Sequence, residues 1–227
     1  MVEINSDDYH DFVIKNGQLI GEFEQMYGKA KDVPWHQDKQ EDWLDIRLTI
    51  EMLRKYSPFD YICDFGCGLG FFLEILKRKV GTTKSRLFDL DVSPTCCRKA
   101  KEIFPNIEFC VFDLMKDDNN NWKISERLAK EKRLFAIRGT LWYVFPEMEN
   151  VVKNIANNTE KGDYLLVSQN FPPLNSNFVG REVIPNPESI IAWFGKYFTP
   201  QKTIWIEDEI SNDNDNWFTG IFIRRQQ

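Results

Sequence analysis

The sequence predicts an α/β fold in which helices cover both faces of a seven-stranded, mostly parallel sheet with one antiparallel edge strand, preceded by an N-terminal helical cap. From residue 58 onward, short apolar runs alternate with stretches of helical spacing, which is typical of parallel strands joined by helices. A glycine-rich turn at residues 66–70 follows the first apolar run and precedes a helical stretch. Two apolar runs near the C-terminal end flank an acidic loop, which predicts a hairpin at one edge of the sheet.

Apolar runs bounded by glycine, proline or polar loops mark the predicted strands. They span residues 61–65, 86–91, 107–112, 134–138, 164–168, 203–207 and 217–224. Apolar residues at spacings of three and four mark the predicted helices. They span residues 38–56, 71–79, 94–104, 122–132, a segment that opens at Pro146, and 187–196. Ser93 and Asn186 each precede a proline, and a capping side chain followed by proline is typical of helix starts.

Composition argues against several classes of protein. The chain has 227 residues, a net charge of −6 and a pI of about 5.1, which disfavours general nucleic-acid binding. It has five cysteines without C-x-x-C spacing and two histidines, so we expect no metal site. Free thiols and an N-terminus without the apolar core of a signal peptide favour a cytoplasmic protein. No apolar run approaches the ~20 residues of a membrane span, so we expect no membrane partner.

The glycine turn of residues 66–70 predicts a ligand site. Backbone N–H groups in such a turn can approach a ligand closely, and the N-terminus of the following helix favours an anionic group. A dinucleotide would fit the pattern G-x-G-x-x-G, but the third glycine comes one residue early and Phe71 stands in its place. The run Asp64-Phe-Gly-Cys-Gly-Leu-Gly70 instead resembles the first motif of class I S-adenosylmethionine (SAM)-dependent methyltransferases, which have a Rossmann-like fold.

This resemblance implies a SAM site along the carboxyl ends of the strands. The acid Asp64 and the glycine turn would hold the methionine end of the cofactor. In the run 90–94, Asp91 is similar to the family's ribose-binding acid, with Asp89 as its rival, and Asp113 is similar to the adenine-binding acid. The cofactor residues implied in this part of the chain are Asp64, Gly66, Cys67, Gly68, Asp91, Val92, Asp113, Leu114, Arg138 and Gly139.

The N-terminal cap adds two cofactor residues by resemblance. Residues 27–47 look like the N-terminal segment of nodulation-type N-methyltransferases, in which an Asp-Pro-Trp turn and a later arginine close over the cofactor. This chain has one extra residue in the run 32–35, and the resemblance places Trp35 and Arg47 at the cofactor. Arg47 could pair with the cofactor carboxylate, and Trp35 could contact the sulfonium by a cation–π interaction. The alternative for Arg47 is a solvated helix residue.

The two histidines, His10 and His36, both lie in the cap and are the candidate catalytic residues. A histidine titrates near neutral pH, so it can take the proton of a hydroxyl acceptor. Asp8, Asp11 and Glu24 are alternatives for this role. For an amine, phosphate or carboxylate acceptor, the enzyme could act by positioning the acceptor, without a residue that removes a proton.

Aromatic residues of the cap and of the segments after the fourth and fifth strands are the candidate acceptor contacts. They are Tyr9, Tyr27, Trp142, Tyr143 and Phe171. Core or rim packing is the alternative for Trp142 and Tyr143. The run Asn170-Phe-Pro-Pro173 follows the fifth strand, whereas nucleic-acid amino-methylating enzymes carry a similar run after the fourth. We therefore interpret it as a rigid loop that shapes the acceptor pocket.

The resemblance implies transfer of a methyl group from SAM to a small-molecule acceptor by O- or N-methylation, with S-adenosylhomocysteine (SAH) as product. Residues 1–57 would form a cap or lid, and residues 58–227 the SAM-binding methyltransferase domain with an acceptor-side loop at 169–190. Runs such as 185–189 resemble methyltransferases found with bacterial surface-polysaccharide genes, which favours a sugar or phosphosugar acceptor. The alternatives are a nucleic-acid or protein methyltransferase, an NAD-dependent oxidoreductase and a non-catalytic nucleotide-binding module.

Overall fold

The computed structural model describes residues 4, 6, 8–116, 128, 130–207 and 216–226, and it confirms the predicted α/β architecture. Its larger sheet has seven strands with helices on both faces. Among the described residues, no helix combines the length and the apolar character needed to cross a bilayer.

The cap consists of short elements. In chain order they are a 3₁₀ helix (Tyr9–Phe12), the hairpin strands β1 (Ile14–Lys15) and β2 (Gln18–Leu19), helix α1 (Phe23–Lys29), a second 3₁₀ helix (Pro34–Lys39) and helix α2 (Leu44–Arg54). The predicted helix over residues 38–56 therefore begins later than expected. Trp35 and His36 have left-handed φ values of 52° and 49°, and Trp43 is the N-cap of α2, so the chain turns twice before the helix starts.

The strands of the large sheet follow the predicted pattern. They are β3 (Phe59–Phe65), β4 (Gly81–Asp91), β5 (Glu108–Val111), β6 (Arg133–Arg138), β7 (Tyr164–Phe171), β8 (Phe198–Ile206) and β9 (Asn216–Arg224). Their order across the sheet is β5-β4-β3-β6-β7-β9-β8. The C-terminal hairpin forms one edge of the sheet, and its antiparallel strand β9 lies one place in, between β7 and the outermost strand β8.

Helices follow most of the strands. They are α3 (Phe71–Val80), α4 (Pro94–Ile103), α5 (Leu141–Val144), α6 (Met148–Asn157) and α7 (Pro187–Phe194). The predicted caps are present: the side chains of Ser93 and Asn186 accept hydrogen bonds from the N–H groups of Cys96 and Ser189. Most of the predicted helix over 122–132 and most of the acidic loop over 211–216 lie outside the described residues.

The core forms two layers because side chains alternate between the faces of the sheet. In β3, Cys63 and Phe65 face α6 and α7, and Ile62 faces α2 and α3. The parallel strands β3 to β7 end at the same edge, and β9 begins there because Trp217 pairs with Asn170. Polar side chains that follow these strands are therefore gathered at one edge, beneath the cap.

Candidate active site

A cavity of about 870 Å³ opens at this edge of the sheet, between the strand ends and the cap. Its size lies within the roughly 300–1,000 Å³ typical of small-molecule sites. Most of the site residues predicted from the sequence line it. These are Tyr9, Tyr27, Trp35, His36, Asp64, Gly66, Cys67, Asp91, Val92, Asp113, Leu114, Arg138, Gly139 and Tyr143.

The glycine turn has a backbone that other residues would adopt only with strain. Gly66, Gly68 and Gly70 have φ values of +73°, +56° and +85°. A Cβ on Gly66 would lie 2.5 Å from the Thr140 side chain, and one on Gly68 would lie 2.1 Å from Nε2 of Gln37. The turn is therefore closely packed against the protein itself at these two points, and Gln37 separates Gly68 from the cavity.

Asp91 braces the glycine turn while it lines the cavity. Its Oδ2 accepts a hydrogen bond from the N–H of Gly68 at 3.1 Å, and its Oδ1 accepts one from the N–H of Ser93 at 2.9 Å. Burial raises the pKa of Asp91 to about 6, against the opposing effect of these N–H groups. Its rival Asp89 is fully buried beneath Gly70 and is not part of the cavity wall. Asp91 is therefore the acid of this strand that a ligand in the cavity could reach.

Asp64 lines the cavity with a carboxyl group that is almost fully buried. Its side chain is 3% exposed, and Oδ1 has no hydrogen-bond partner. Burial raises the pKa of Asp64 to about 8, and the positive charge of Arg138 acts in the opposite direction. A buried carboxyl oxygen without a partner is costly, so this position favours a ligand that supplies a hydrogen-bond donor or a positive charge.

Arg138, at the end of β6, joins the sheet to the cap. Its Nε and Nη2 donate to Oδ2 of Asp45 at 3.0 and 2.7 Å, and its Nη1 donates to Oε1 of Gln40 at 2.6 Å. The guanidinium lies 4.6 Å from the centre of the Trp217 ring. Because both Arg138 and Asp45 are buried, this is a closed ion pair in the cavity wall.

Asp113 and Leu114 form the wall below the end of β5. Oδ1 of Asp113 accepts a hydrogen bond from the N–H of Met115 at 3.0 Å, and its Oδ2 lies 3.2 Å from Nζ of Lys116. The carbonyl of Leu114 accepts a hydrogen bond from Asn154 at 2.8 Å. These contacts fix the loop after β5 in place at the cavity.

Five aromatic rings of the cap and of α5 form a continuous surface, which we call the aromatic wall. Its members are Tyr9, Phe23, Tyr27, Trp35 and Tyr143. The Trp35 ring lies at its centre, 5.5 Å from Tyr9, 6.5 Å from Tyr27 and 5.6 Å from Tyr143. Burial raises the pKa of Tyr27 well above its ordinary value, so that hydroxyl stays neutral. The wall offers ring faces and neutral hydroxyls to a ligand.

The structure separates the two candidate histidines. His36 lines the cavity and is exposed there. His10 is not among the lining residues: it stacks on Tyr9 at 4.1 Å, and its Nδ1 lies 2.8 Å from Oδ1 of Asp8 at the surface. His10 is therefore placed away from the cavity wall, whereas His36 is placed where it could meet a ligand.

The structure places four further candidate residues outside the cavity wall. Arg47 lies on the exposed face of α2 and does not line the cavity, which agrees with the alternative of a solvated helix residue. Phe171 is fully buried, and Trp142 packs on it at 5.2 Å and donates its indole N–H to the carbonyl of Asn170. Both rings are outside the cavity wall, and they pack together at the end of β7. Gly68 is also outside the wall, because Gln37 covers it.

Several residues that line the cavity are not among the candidate site residues predicted from the sequence. The most informative are Glu22, Gln37, Gln40, Asn170 and Trp217. Gln37 and Gln40 flank the strained turn of the cap, and no spacing in the sequence distinguishes them from surface glutamines. Asn170 and Trp217 could have been found from the predicted sheet, since each lies where a strand end meets the edge that binds ligands.

No protein-family model matches the chain, and no curated protein matches it. Solved structures do share its fold. The N-methyltransferase NodS from Bradyrhizobium japonicum in complex with SAH is 16% identical, with 89% of this chain and 98% of that chain covered and a TM-score of 0.65. A chain from the complex between the Haloferax volcanii Trm112 methyltransferase activator and a putative methyltransferase is 14% identical, with 84% and 93% covered and a TM-score of 0.61. A SAM-dependent methyltransferase from Aquifex aeolicus is 14% identical, with 83% and 97% covered and a TM-score of 0.59. The chain has the fold of the SAM-dependent methyltransferases.

Proposed function

We propose that this protein transfers a methyl group from SAM to a small-molecule acceptor and releases SAH. The observation that supports this most strongly is the unpartnered Oδ1 of Asp64 beside the glycine turn. The ammonium group at the methionine end of SAM would supply a hydrogen-bond donor for this oxygen and a positive charge beside the carboxyl group. The residues present therefore fit the cofactor.

The other cofactor contacts follow the order of the strands. Asp64 lies near the end of β3, Asp91 ends β4 and Asp113 follows β5, so the three acids form a row along the sheet edge. We assign the ammonium to Asp64, the ribose hydroxyls to Asp91 and the adenine amino group to Asp113. Val92, which is 41% exposed at the cavity, would cover the adenine ring. Bound SAM supplies a methyl carbon on a positively charged sulfur, where a nucleophile can displace the sulfur.

The cap would act as a lid over this site. Gln37 contacts the glycine turn, and Gln40 and Asp45 contact Arg138 on β6, so residues 34–45 bridge the cavity. Trp35 turns its ring toward the cavity from this segment. We therefore propose the division into a lid, residues 1–57, and a SAM-binding domain, residues 58–227. The two parts would close around the ligands and exclude water.

The acceptor would bind between the aromatic wall and the ends of β6 and β7. His36 is the residue we assign to proton removal, because a ring nitrogen of its exposed imidazole can accept a proton from an acceptor in the cavity. The segment 169–190 would shape the far end through Asn170. Whether the methyl group goes to an oxygen or to a nitrogen atom is a prediction from the sequence, and so is a sugar as the acceptor molecule. The free thiols of all five cysteines suit the proposed cytoplasmic location.

Thermal unfolding with cofactors tests the proposal directly. We expect SAH at about 100 times its Kd to raise the Tm of the full chain by about 5 °C or more. NAD at the same concentration should leave Tm unchanged. Transfer of tritium from methyl-labelled SAM to pools of small metabolites, proteins or nucleic acids would then identify the acceptor class. Stabilisation by NAD and not by SAH, or label found on nucleic acid alone, would overturn the proposal.

A further inference from the structure

Charged groups are distributed unequally along the cavity. Asp64, Asp91 and Asp113 lie at or just after the ends of the neighbouring strands β3, β4 and β5, and we call this part the cofactor half. The neighbouring strands β6, β7 and β9 and the cap above them form the other part, which we call the acceptor half. This division rests on the proposed function, since it gives the three acids to the cofactor. The charges of the acceptor half then determine whether a cationic, neutral or anionic acceptor can bind there.

In the part of the chain that the structure describes, the acceptor half offers no arginine or lysine that is available to an anionic group. Arg138 is the one arginine or lysine among the described residues that line the cavity. All its hydrogen bonds described above go to the cap, two to Asp45 and one to Gln40. The side chains of Arg138 and Asp45 are 8% and 2% exposed. Drawing Arg138 onto a phosphate would leave Asp45 buried without its partner, which is strongly unfavourable.

The cap instead contributes a carboxylate and ring faces. Glu22 lies in the cavity wall, half-buried, where its Oε2 accepts a hydrogen bond from Nε2 of Gln25 at 3.0 Å. Phe23, the next residue, packs edge-on against Tyr143 at 5.4 Å and begins the aromatic wall. A carboxylate beside aromatic faces attracts a cation both by its charge and by the cation–π interaction.

Glu24 differs from Glu22 in its partners. Its two carboxylate oxygens accept hydrogen bonds from the Ser93 hydroxyl, the Thr95 hydroxyl and the Thr95 N–H at the start of α4. Glu24 therefore holds α1 against α4. Glu22 instead lines the cavity next to Phe23, whose ring contacts Tyr143 of α5, and its hydrogen bond with Gln25 stays within the start of α1.

We infer that the acceptor half binds a positively charged amine and rejects acceptors whose reacting end carries phosphate or carboxylate. Glu22 and the aromatic wall hold the ammonium form. An amine must lose a proton before it can act as a nucleophile, and His36 in the same wall can take it. Within the sugar acceptors favoured by the sequence, this selects an amino sugar over a phosphosugar.

Three probes that share a benzyl ring but differ in the charge of the attached group test this inference on the full chain loaded with SAH. They are benzylamine, benzyl alcohol and benzyl phosphate, and isothermal titration calorimetry measures their Kd values. We expect benzylamine to bind about tenfold or more tightly than benzyl alcohol, and benzyl phosphate to show no saturable binding. Glu22→Gln should reduce the preference for benzylamine about tenfold. The matched control Glu102→Gln alters an exposed glutamate of α4 and should leave it unchanged.

The outcomes separate this inference from the proposed function. Equal binding of the three probes, tighter binding of benzyl phosphate, or no binding of benzylamine to the SAH-loaded wild-type chain would overturn the inference. Those comparisons need no variant, so they stand even where Glu22→Gln fails to fold. Failure of SAH itself to bind would instead overturn the proposed function, and the inference with it.

Discussion

Gln37 of the cap accepts a hydrogen bond through its Oε1 from the backbone N–H of Leu69 in the glycine turn, at 2.9 Å. Its Nε2 occupies the space that a Cβ on Gly68 would fill. Three residues later, Gln40 donates to the carbonyl of Trp35 at 2.7 Å and accepts from Arg138. The strained turn of the cap is thus tied at one end to the glycine turn and at the other to β6. We therefore expect the position of the cap and the shape of the proposed cofactor site to be coupled.

Replacement of Gln37 by alanine should weaken this coupling. The Leu69 N–H would lose its partner in a partly buried position, at a cost of about 1–3 kcal/mol. We expect SAH affinity to fall about 5- to 30-fold, with faster tryptic cleavage within residues 31–39. Calorimetric titration and limited proteolysis measure the two effects. Gln201→Ala, on the exposed edge strand β8, is the control, and unchanged SAH affinity in Gln37→Ala would contradict the coupling.

Asp91→Ala should affect both binding and stability. The variant removes the proposed ribose acceptor and also leaves the N–H groups of Gly68 and Ser93 without their partners. We expect SAH affinity to fall about 100-fold or more and the free energy of unfolding to fall by about 2–4 kcal/mol. Urea unfolding and calorimetric titration separate the two effects. Asp91→Asn keeps one oxygen acceptor and should lose less stability than Asp91→Ala; equal losses would argue against the bracing role.

Strand-end acids and the glycine turn were predictable because they belong to local patterns: an apolar run, then an acid, then a helix start. Arg47 was misplaced for a reason that no local pattern carries. Asp45, two residues earlier on α2, is buried because it pairs with Arg138, which lies 93 residues away in the chain. From the sequence alone, one cannot predict that an aspartate of this helix is buried while an arginine of the same helix is exposed. The contact of Gln37 with Leu69 spans 32 residues and was hidden in the same way.

Cofactor affinity should depend on pH through Asp64. Burial raises its pKa to about 8 in the ligand-free protein, so the carboxyl is largely protonated at neutral pH. An ammonium group beside it favours the ionised form, lowers this pKa and makes binding release a proton. We therefore expect SAH affinity to rise as the pH increases from about 6 to about 8. Titrations in two buffers of different ionisation enthalpy measure the proton release, and a pH-independent affinity would contradict this assignment.

The stability of the ligand-free protein should change in the opposite direction. The folded state keeps the Asp64 proton up to a pH of about 8, whereas the unfolded chain loses it near the ordinary value of 3.8. The folded state binds more protons between these values, so this group lowers the free energy of unfolding as the pH rises through that window. Asp64→Asn should flatten this part of the stability profile in urea unfolding from about pH 5 to about pH 8. A profile with the same slope in both proteins would rule out Asp64 as its source.

The buried pair of Arg138 and Asp45 should show strong coupling in a double-mutant cycle. Arg138→Met leaves Asp45 buried without its partner, and we expect a loss of about 3–5 kcal/mol in the free energy of unfolding. Asp45→Leu should be similarly costly because it leaves Arg138 buried against Trp217. The double variant replaces both charges with apolar groups and should recover most of the loss. Chemical unfolding of the four proteins measures the coupling, and additive losses would show that the pair is screened by solvent.

Gly68→Ala tests the contact between the cap and the glycine turn from the other side. The new Cβ would lie 2.1 Å from Nε2 of Gln37, so the flexible amide must move and the bond to Leu69 breaks. Alanine at a φ of +56° adds a strain of about 1–2 kcal/mol that does not depend on Gln37. In a Gln37→Ala background, Gly68→Ala should therefore lower the free energy of unfolding only by this strain. We expect urea unfolding to show a coupling energy of about 1 kcal/mol between the two substitutions. Additivity within about 0.5 kcal/mol would mean that Gln37 and the turn are independent in solution.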